Sequence, residues 1–332
     1  MLFGTACCAI GLLSLEGLAQ LTEQRRPPVH WSSSTDYKIP DPDLGYRPAG
    51  NRRVRVQSRT DDALIYDVRY TFDEWGRRKV PGAAAGRPAH LLFFGCSVTF
   101  GEGVEDTETM PAQIARMLPS HQPYNYAFSG YGPQQAYALA QRLTAAQVSQ
   151  RDGALVYVFI DQQVRRAIGA LRMFNGWGWD FPRYVIENGE LTRKGSFSTS
   201  QPMTASIYRA LWRSAAVRES GLDWPLRTSA RDVSLSLRLL EETSATYRSR
   251  FPDNDVYIVI YPTATRHRQA IVEHFAERPE QVLDLSALLD PDPYRFRIHP
   301  LDNHPGPAAH RRIAEAIAEA ITDRIRSASG EP

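Results

Sequence analysis

A chain of 332 residues that is 42% hydrophobic and 23% charged has enough apolar sequence for a sizeable core and the make-up of a globular protein. Its 39 basic and 37 acidic residues leave a net charge of +2, which excludes the electrostatic footprint of a nucleic-acid binder. Of its 3 cysteines, Cys7 and Cys8 lie close to the N-terminus and Cys96 stands alone, so neither a disulfide framework nor a metal-ligand spacing can be built, and no metal or cofactor is expected.

The chain opens on MLFGTACCAIGLLSLEGLAQL, apolar over about the length of a membrane span but interrupted by Glu16 and preceded by no basic region. Residues 1–22 are therefore expected to be a membrane anchor or signal remnant, with the remainder on the extracytoplasmic side. A helix lying on the domain is the alternative, and the flanking Arg25 and Arg26 argue for a cytoplasmic side instead. Residues 23–88 read as a linker with an accessory β-hairpin. RPPVHWSSSTDYKIPDPDLGYRPAG is rich in proline and polar residues, whereas RVRVQSRT and LIYDVRYTF alternate apolar with polar on either side of Asp61 and Asp62.

From residue 89 to 327 strand and helix patterns alternate. LLFFG (91–95), YNYAF (124–128), ALVYVFI (154–160), VYIVIY (256–261) and QVLDLS (281–286) read as strands. Residues 106–118 and 133–147 read as helices, as do the segment carrying Val233, Leu237 and Leu240 and the stretch RHRQAIVEHFAER. A last helix begins near Pro307 and sets Ile313, Ile317, Ile321 and Ile325 on one stripe. Strands this apolar, each followed by a helix, imply a parallel sheet covered on both faces. The expected class is α/β: a three-layer α/β/α sandwich with five parallel strands ordered 2-1-3-4-5. An aromatic insertion over 165–230 interrupts it, with an Asn-Gly hairpin signal in YVIENGELTRKG. Trp177 and Trp179 there are candidates for stacking on a sugar ring; the alternative is a lid packed onto the sheet.

In such folds chemistry gathers at the carboxyl ends of the strands. There HLLFFGCSVTFGEGV sets Ser97 among glycines that let a ligand come close. A serine nucleophile needs a base for its proton and donors aimed at the developing oxyanion. Of the 8 histidines, only those of RIHPLDNHPGPAAH lie in a loop after a strand, where a base can face Ser97. His304 follows Asp302 by two residues, so a carboxylate can orient its imidazole. His299, before Pro300, and His310, within the start of the last helix, are the other candidates. Cys96 is read as a small residue packed at the strand end, pointing away from Ser97.

FFGCSVTFGEG, NYAFSGYGP and DNHPGPAAHRRIAEAI resemble the first, second and last blocks of the SGNH (GDSL-type) hydrolase superfamily. DLGYRP and YTFDEWGRR are similar to the segment ahead of the catalytic domain in bacterial membrane-anchored members, many of them linked to cell-surface polysaccharides. The resemblance implies a flavodoxin-like SGNH fold, Ser97 as nucleophile, His304 as base and Asp302 as its partner. It also implies an oxyanion hole made by the N–H groups of Ser97 and Gly130. The family's third donor, an asparagine, is missing from FIDQQV, where Gln162 is the nearest amide and a solvated loop role is its alternative. The expected function is a serine esterase that takes acyl groups, most simply acetyl, from a carbohydrate. A polysaccharide O-acetyltransferase with the same triad is the first alternative, and a non-catalytic glycan-binding module is the second.

Overall fold

A computed structural model of the protein describes residues 2–25, 27–83 and 86–329. Helix α1 (Leu2–Arg25) comes first, and among the described residues no helix is long and apolar enough to cross a membrane. The Glu16 that interrupts its apolar run caps the short helix Ala215–Glu219. Its carboxylate accepts from Ser214 Oγ at 2.6 Å and from the N–H groups of Ala215 and Ala216 at 2.7 and 3.1 Å. Those bonds hold its pKa down at about 2.

The segment expected to be a linker is folded. Strands β1 (His30–Ser33), β2 (Lys38–Asp41) and β3 (Gly45–Pro48) precede the expected hairpin, β4 (Arg53–Arg59) and β5 (Leu64–Thr71). β1 pairs with β4, extending the hairpin to three strands, and β2 pairs with β3. Composition misled here because few residues hold the segment down, and each is buried in a tertiary contact. Tyr37 stacks on Phe72 with ring centroids 5.6 Å apart, and Asp41 accepts from Arg142 at 2.9 Å. Along β4, Val54, Val56 and Ser58 alternate inward, and this face meets an aromatic cluster of Tyr70, Phe72, Phe100 and Phe128.

The central sheet is the five-stranded parallel one expected. Strands β6 (Ala89–Phe94), β7 (His121–Asn125), β8 (Asp152–Phe159), β11 (Asp255–Ile260) and β12 (Gln281–Asp284) lie in the order β12-β11-β8-β6-β7, all parallel. Leu91, Leu92, Phe93 and Phe94 are wholly buried because helices cover both faces. Helix α3 (Met110–Met117) packs with Pro307–Ser329, and α4 (Pro133–Gln141) packs with Ala230–Arg250. The apolar stripe of the last helix is buried at Ile313, Ile317 and Ile321 but runs out at Ile325, which is 49% exposed. The expected helix over 106–118 divides into a 3₁₀ turn at Asp106–Glu108 and then α3, whose N–H of Ala112 is capped by Thr109 Oγ1. Between β8 and β11 the insertion carries the hairpin β9 (Pro182–Glu187) and β10 (Glu190–Ser196), turning on Asn188 and Gly189 with φ of 52° and 84°. Helix α2 (Ser97–Phe100) follows β6 directly, and β13 (Arg297–His299) pairs with β14 (Asp302–Pro305) just before the last helix.

Candidate active site

Ser97 is the first residue of α2, at the carboxyl end of a central strand, where a helix N-terminus leaves backbone N–H groups unpaired. Gly101, at φ 85°, ends α2 after four residues and returns its N–H to Ser97 O at 2.9 Å. Asp302 and His304 alternate along β14 and so share one side of it. His304 Nδ1 lies 2.6 Å from Asp302 Oδ1, which also accepts the His304 backbone N–H at 2.9 Å. Burial pushes the Asp302 carboxyl up, but the bonds from His304 outweigh it and leave it below its ordinary value.

Ser97, Gln162, Asp302 and His304 line one cleft of about 320 Å³, together with Arg166, Tyr261, Tyr294 and Arg297. Ser97 and His304 both line it, and among the described residues no hydrogen bond joins Ser97 Oγ to the imidazole. Gln162, the first residue of α5 (Gln162–Ala167), is exposed to the cleft, whereas its neighbour Gln163 is buried and accepts from Tyr157 OH at 2.7 Å. The other histidines lie elsewhere. His299 Nδ1 accepts from the Leu301 N–H, and His310 is buried against α3, accepting from Met110 N at 3.2 Å. Cys96 is buried in the main core and does not line the cleft.

Gly130 sits beside the site in a left-handed conformation, φ 82°, with no room for a side chain. A Cβ there would lie 2.6 Å from Trp177 Nε1 and would also strike the Tyr46 hydroxyl. Both groups hold the loop in place: Tyr46 OH donates to Ser129 O at 2.6 Å and Trp177 Nε1 to Gly130 O at 3.1 Å. Gly130→Ala should therefore lower stability by about 1–3 kcal/mol, from strain plus displaced packing, which a denaturant titration would read. An unchanged midpoint would show the loop to be free to move. Of the insertion's aromatic rings, Phe181 and Tyr184 are buried as a packed lid would require, while Trp177 and Trp179 remain 41% and 49% exposed and line a separate pocket with Arg209.

Three residues of the site were not singled out in the sequence. Tyr46 comes from β3 and does not line the cleft; its hydroxyl ties the N-terminal layer to the loop that carries Gly130. Arg78, in the loop after β5, is fully buried behind α2 and donates to the carbonyls of Phe100, Gly101 and Val104 at 2.9, 2.5 and 2.7 Å. Glu102 lies between two glycines in the turn that leaves α2, with its N–H on Ser97 O at 3.0 Å. The Gly-Glu-Gly triplet was the visible signal for Glu102. Nothing local distinguishes Arg78 from its neighbour Arg77.

No protein-family model matches the sequence, and no curated protein matches it. Among solved structures, the chain is similar to a lipolytic protein of the G-D-S-L family from Veillonella parvula, at 13% identity over 70% of this chain and 98% of that one, with a TM-score of 0.42. It is also similar to a carbohydrate esterase family 2 enzyme with a carbohydrate-binding domain from Corynascus thermopiles (Myceliophthora fergusii), at 13% identity over 73% and 68% of the two chains and a TM-score of 0.43. An acetyl xylan esterase from Butyrivibrio proteoclasticus matches at 9% identity over 73% and 65%, with a TM-score of 0.40. Likenesses this distant carry no residue roles to this chain, and its site stands on its own geometry.

Proposed function

We propose that the protein is a serine ester hydrolase that removes acyl groups, acetyl foremost, from a carbohydrate, with Ser97 as nucleophile, His304 as base and Asp302 as the group that orients it. The observation that carries this reading is the 2.6 Å bond between Asp302 and His304 Nδ1, which leaves Nε2 as the ring nitrogen for a proton from Ser97, a residue of the same cleft. In this reading Ser97 Oγ attacks the ester carbonyl as its proton passes to Nε2. The resulting imidazolium is stabilised by Asp302, and the oxyanion is received by the N–H groups of Ser97 and Gly130. Collapse expels the sugar alkoxide, which takes the proton from His304; water then attacks the acyl-enzyme with His304 as base again, releasing the acid. The half-exposed Trp177, bonded to the Gly130 carbonyl, offers a flat apolar face for a sugar ring beside that loop, and Trp179 shares its pocket with Arg209 over its ring.

Incubation of the purified protein with an aryl acetate and with acetylated oligosaccharides, followed by assay of released acetate, tests the proposal. No turnover on any of them would overturn it, and acetate appearing on an added oligosaccharide instead of in solution would make the protein a transferase. We assign Gln162 as the third oxyanion donor, because it is an exposed amide of the cleft at the start of the helix that follows a central strand, whereas the other exposed amide there, Asn303, is held by Arg297. Gln162→Ala should then lower kcat roughly 10²–10³-fold. A loss of less than about twofold would return Gln162 to the role of a solvated side chain.

A further inference from the structure

His304 stands between two carboxylates. Asp302 holds Nδ1 at 2.6 Å, and Glu102 Oε2 lies 3.9 Å from Nε2, the nitrogen that must take the Ser97 proton if His304 is the base. Glu102 is fixed there from several sides. Its Oε2 accepts the Ser129 hydroxyl at 2.5 Å, and the neighbouring Gly101 and Gly103 adopt φ of 85° and 80°, folding the turn back on itself. Arg78 ties down the carbonyls on either side of it, and Tyr70 OH accepts the Gly103 N–H at 2.8 Å. A turn built this firmly puts a negative charge where hydrolysis by Ser97 has no use for one.

We propose that Glu102 is a positioning residue that acts through His304: its carboxylate pairs with the protonated imidazole at Nε2 and holds the free enzyme in a resting form in which the base is occupied. This rests on the reading of His304 as the base for Ser97. The titratable groups close enough to act on the His304 charge are Asp302, Glu102, the core thiol of Cys96 and the buried His310, and those acting with Glu102 are Lys38 and the hydroxyls of Tyr37, Tyr46, Tyr66 and Tyr70. Burial alone pushes the imidazole toward its neutral form, but the Asp302 hydrogen bond and the charges of Glu102 and Asp302 outweigh it and push its pKa up to about 9. A carboxylate about 4 Å away is worth roughly 1–3 pKa units to such a group. Because the folded pKa lies above the ordinary value, the charged ring favours the fold fully below about pH 6.5, and this contribution fades as pH rises through about 9.

Two readouts test the inference separately from the esterase reading. Imidazole signals of His304, followed by NMR over pH 5–11, should titrate in the wild-type chain near 9, and in Glu102→Gln at least about one unit lower. Glu102→Asp, which keeps the charge, should stay nearer the wild type. In hydrolysis of an aryl acetate, kcat/KM should rise with pH through the same midpoint, and Glu102→Gln should raise the ratio of the rate at pH 7 to that at pH 10 about tenfold. A structural defect would lower the rate at every pH and leave the midpoint in place. A wild-type His304 midpoint near 6.5, or an identical midpoint in Glu102→Gln, would overturn the role of Glu102 whether or not the protein hydrolyses esters. Shifted midpoints without any hydrolysis would support the pairing while refuting the esterase reading.

Discussion

Ser97→Ala should reduce hydrolysis of an aryl acetate by a factor on the order of 10⁴–10⁶, with the melting temperature little changed. The oxygen lost is the nucleophile itself, so the covalent route closes and only oxyanion donors and binding remain, which are orders of magnitude weaker. Folding has little to lose, because Ser97 Oγ makes no hydrogen bond among the described residues and the helix it begins is ended by the Gly101 N–H on the Ser97 carbonyl. Cys96→Ala is the matched control: its thiol is buried in the core, and most activity should survive. A Ser97→Ala protein retaining more than about a tenth of the wild-type rate would remove Ser97 from the mechanism.

Arg78→Met should cost about 3–5 kcal/mol in a urea titration, a large fraction of a domain's stability. The guanidinium is fully buried and paired with Asp106 at 2.8 Å, while its other N–H groups satisfy three carbonyls of the turn behind Ser97. It also lies over the rings of Tyr70 and Phe100, 4.3 and 4.8 Å from their centroids. Methionine fills part of that volume but leaves Asp106 and the carbonyls of Phe100, Gly101 and Val104 short of donors inside the protein. The turn carries Glu102, so the surviving folded fraction should also lose the part of the alkaline displacement of the His304 midpoint that Glu102 supplies, while the part from Asp302 remains. A loss below about 1 kcal/mol would mean that water reaches these groups and replaces the guanidinium.

Much of this protein follows from local pattern. Val156, Val158 and Ile258 sit in runs apolar enough for strands buried on both faces, and such runs alternate with helical repeats along the chain. The parallel sheet and its order follow, because strand–helix–strand connections in one sheet leave few alternatives, even with the long insertion between β8 and β11. Ser97, Asp302 and His304 were legible for a similar reason, since each lies in a short stretch whose glycines or spacing state a local geometry. The boundaries were less so. Tyr126 and Phe128 look like strand residues, yet β7 ends at Asn125, because the side chain of Asn125 bonds the Phe100 carbonyl and the Ala127 N–H and turns the chain into the site loop.

What the sequence by itself determined, then, is whatever depends on neighbours a few residues apart: the strand and helix periods, the Asn-Gly turn, and the shared face of Asp302 and His304. What only the tertiary structure decided is whatever depends on groups far apart in the chain. Lys38 to Pro48 reads as polar linker because its anchors are single residues: the Tyr46 hydroxyl reaches Ser129 O from 83 positions away, and the Asp41 carboxylate meets Arg142 from 101. Glu102 is one more acidic residue in a turn until the hairpin of β13 and β14 comes beside it and brings His304 Nε2 to 3.9 Å. Charge effects fall off with distance in space and not along the chain, so the electrostatic environment of the His304 imidazole exists only once the sheet, the N-terminal layer and that hairpin have come together.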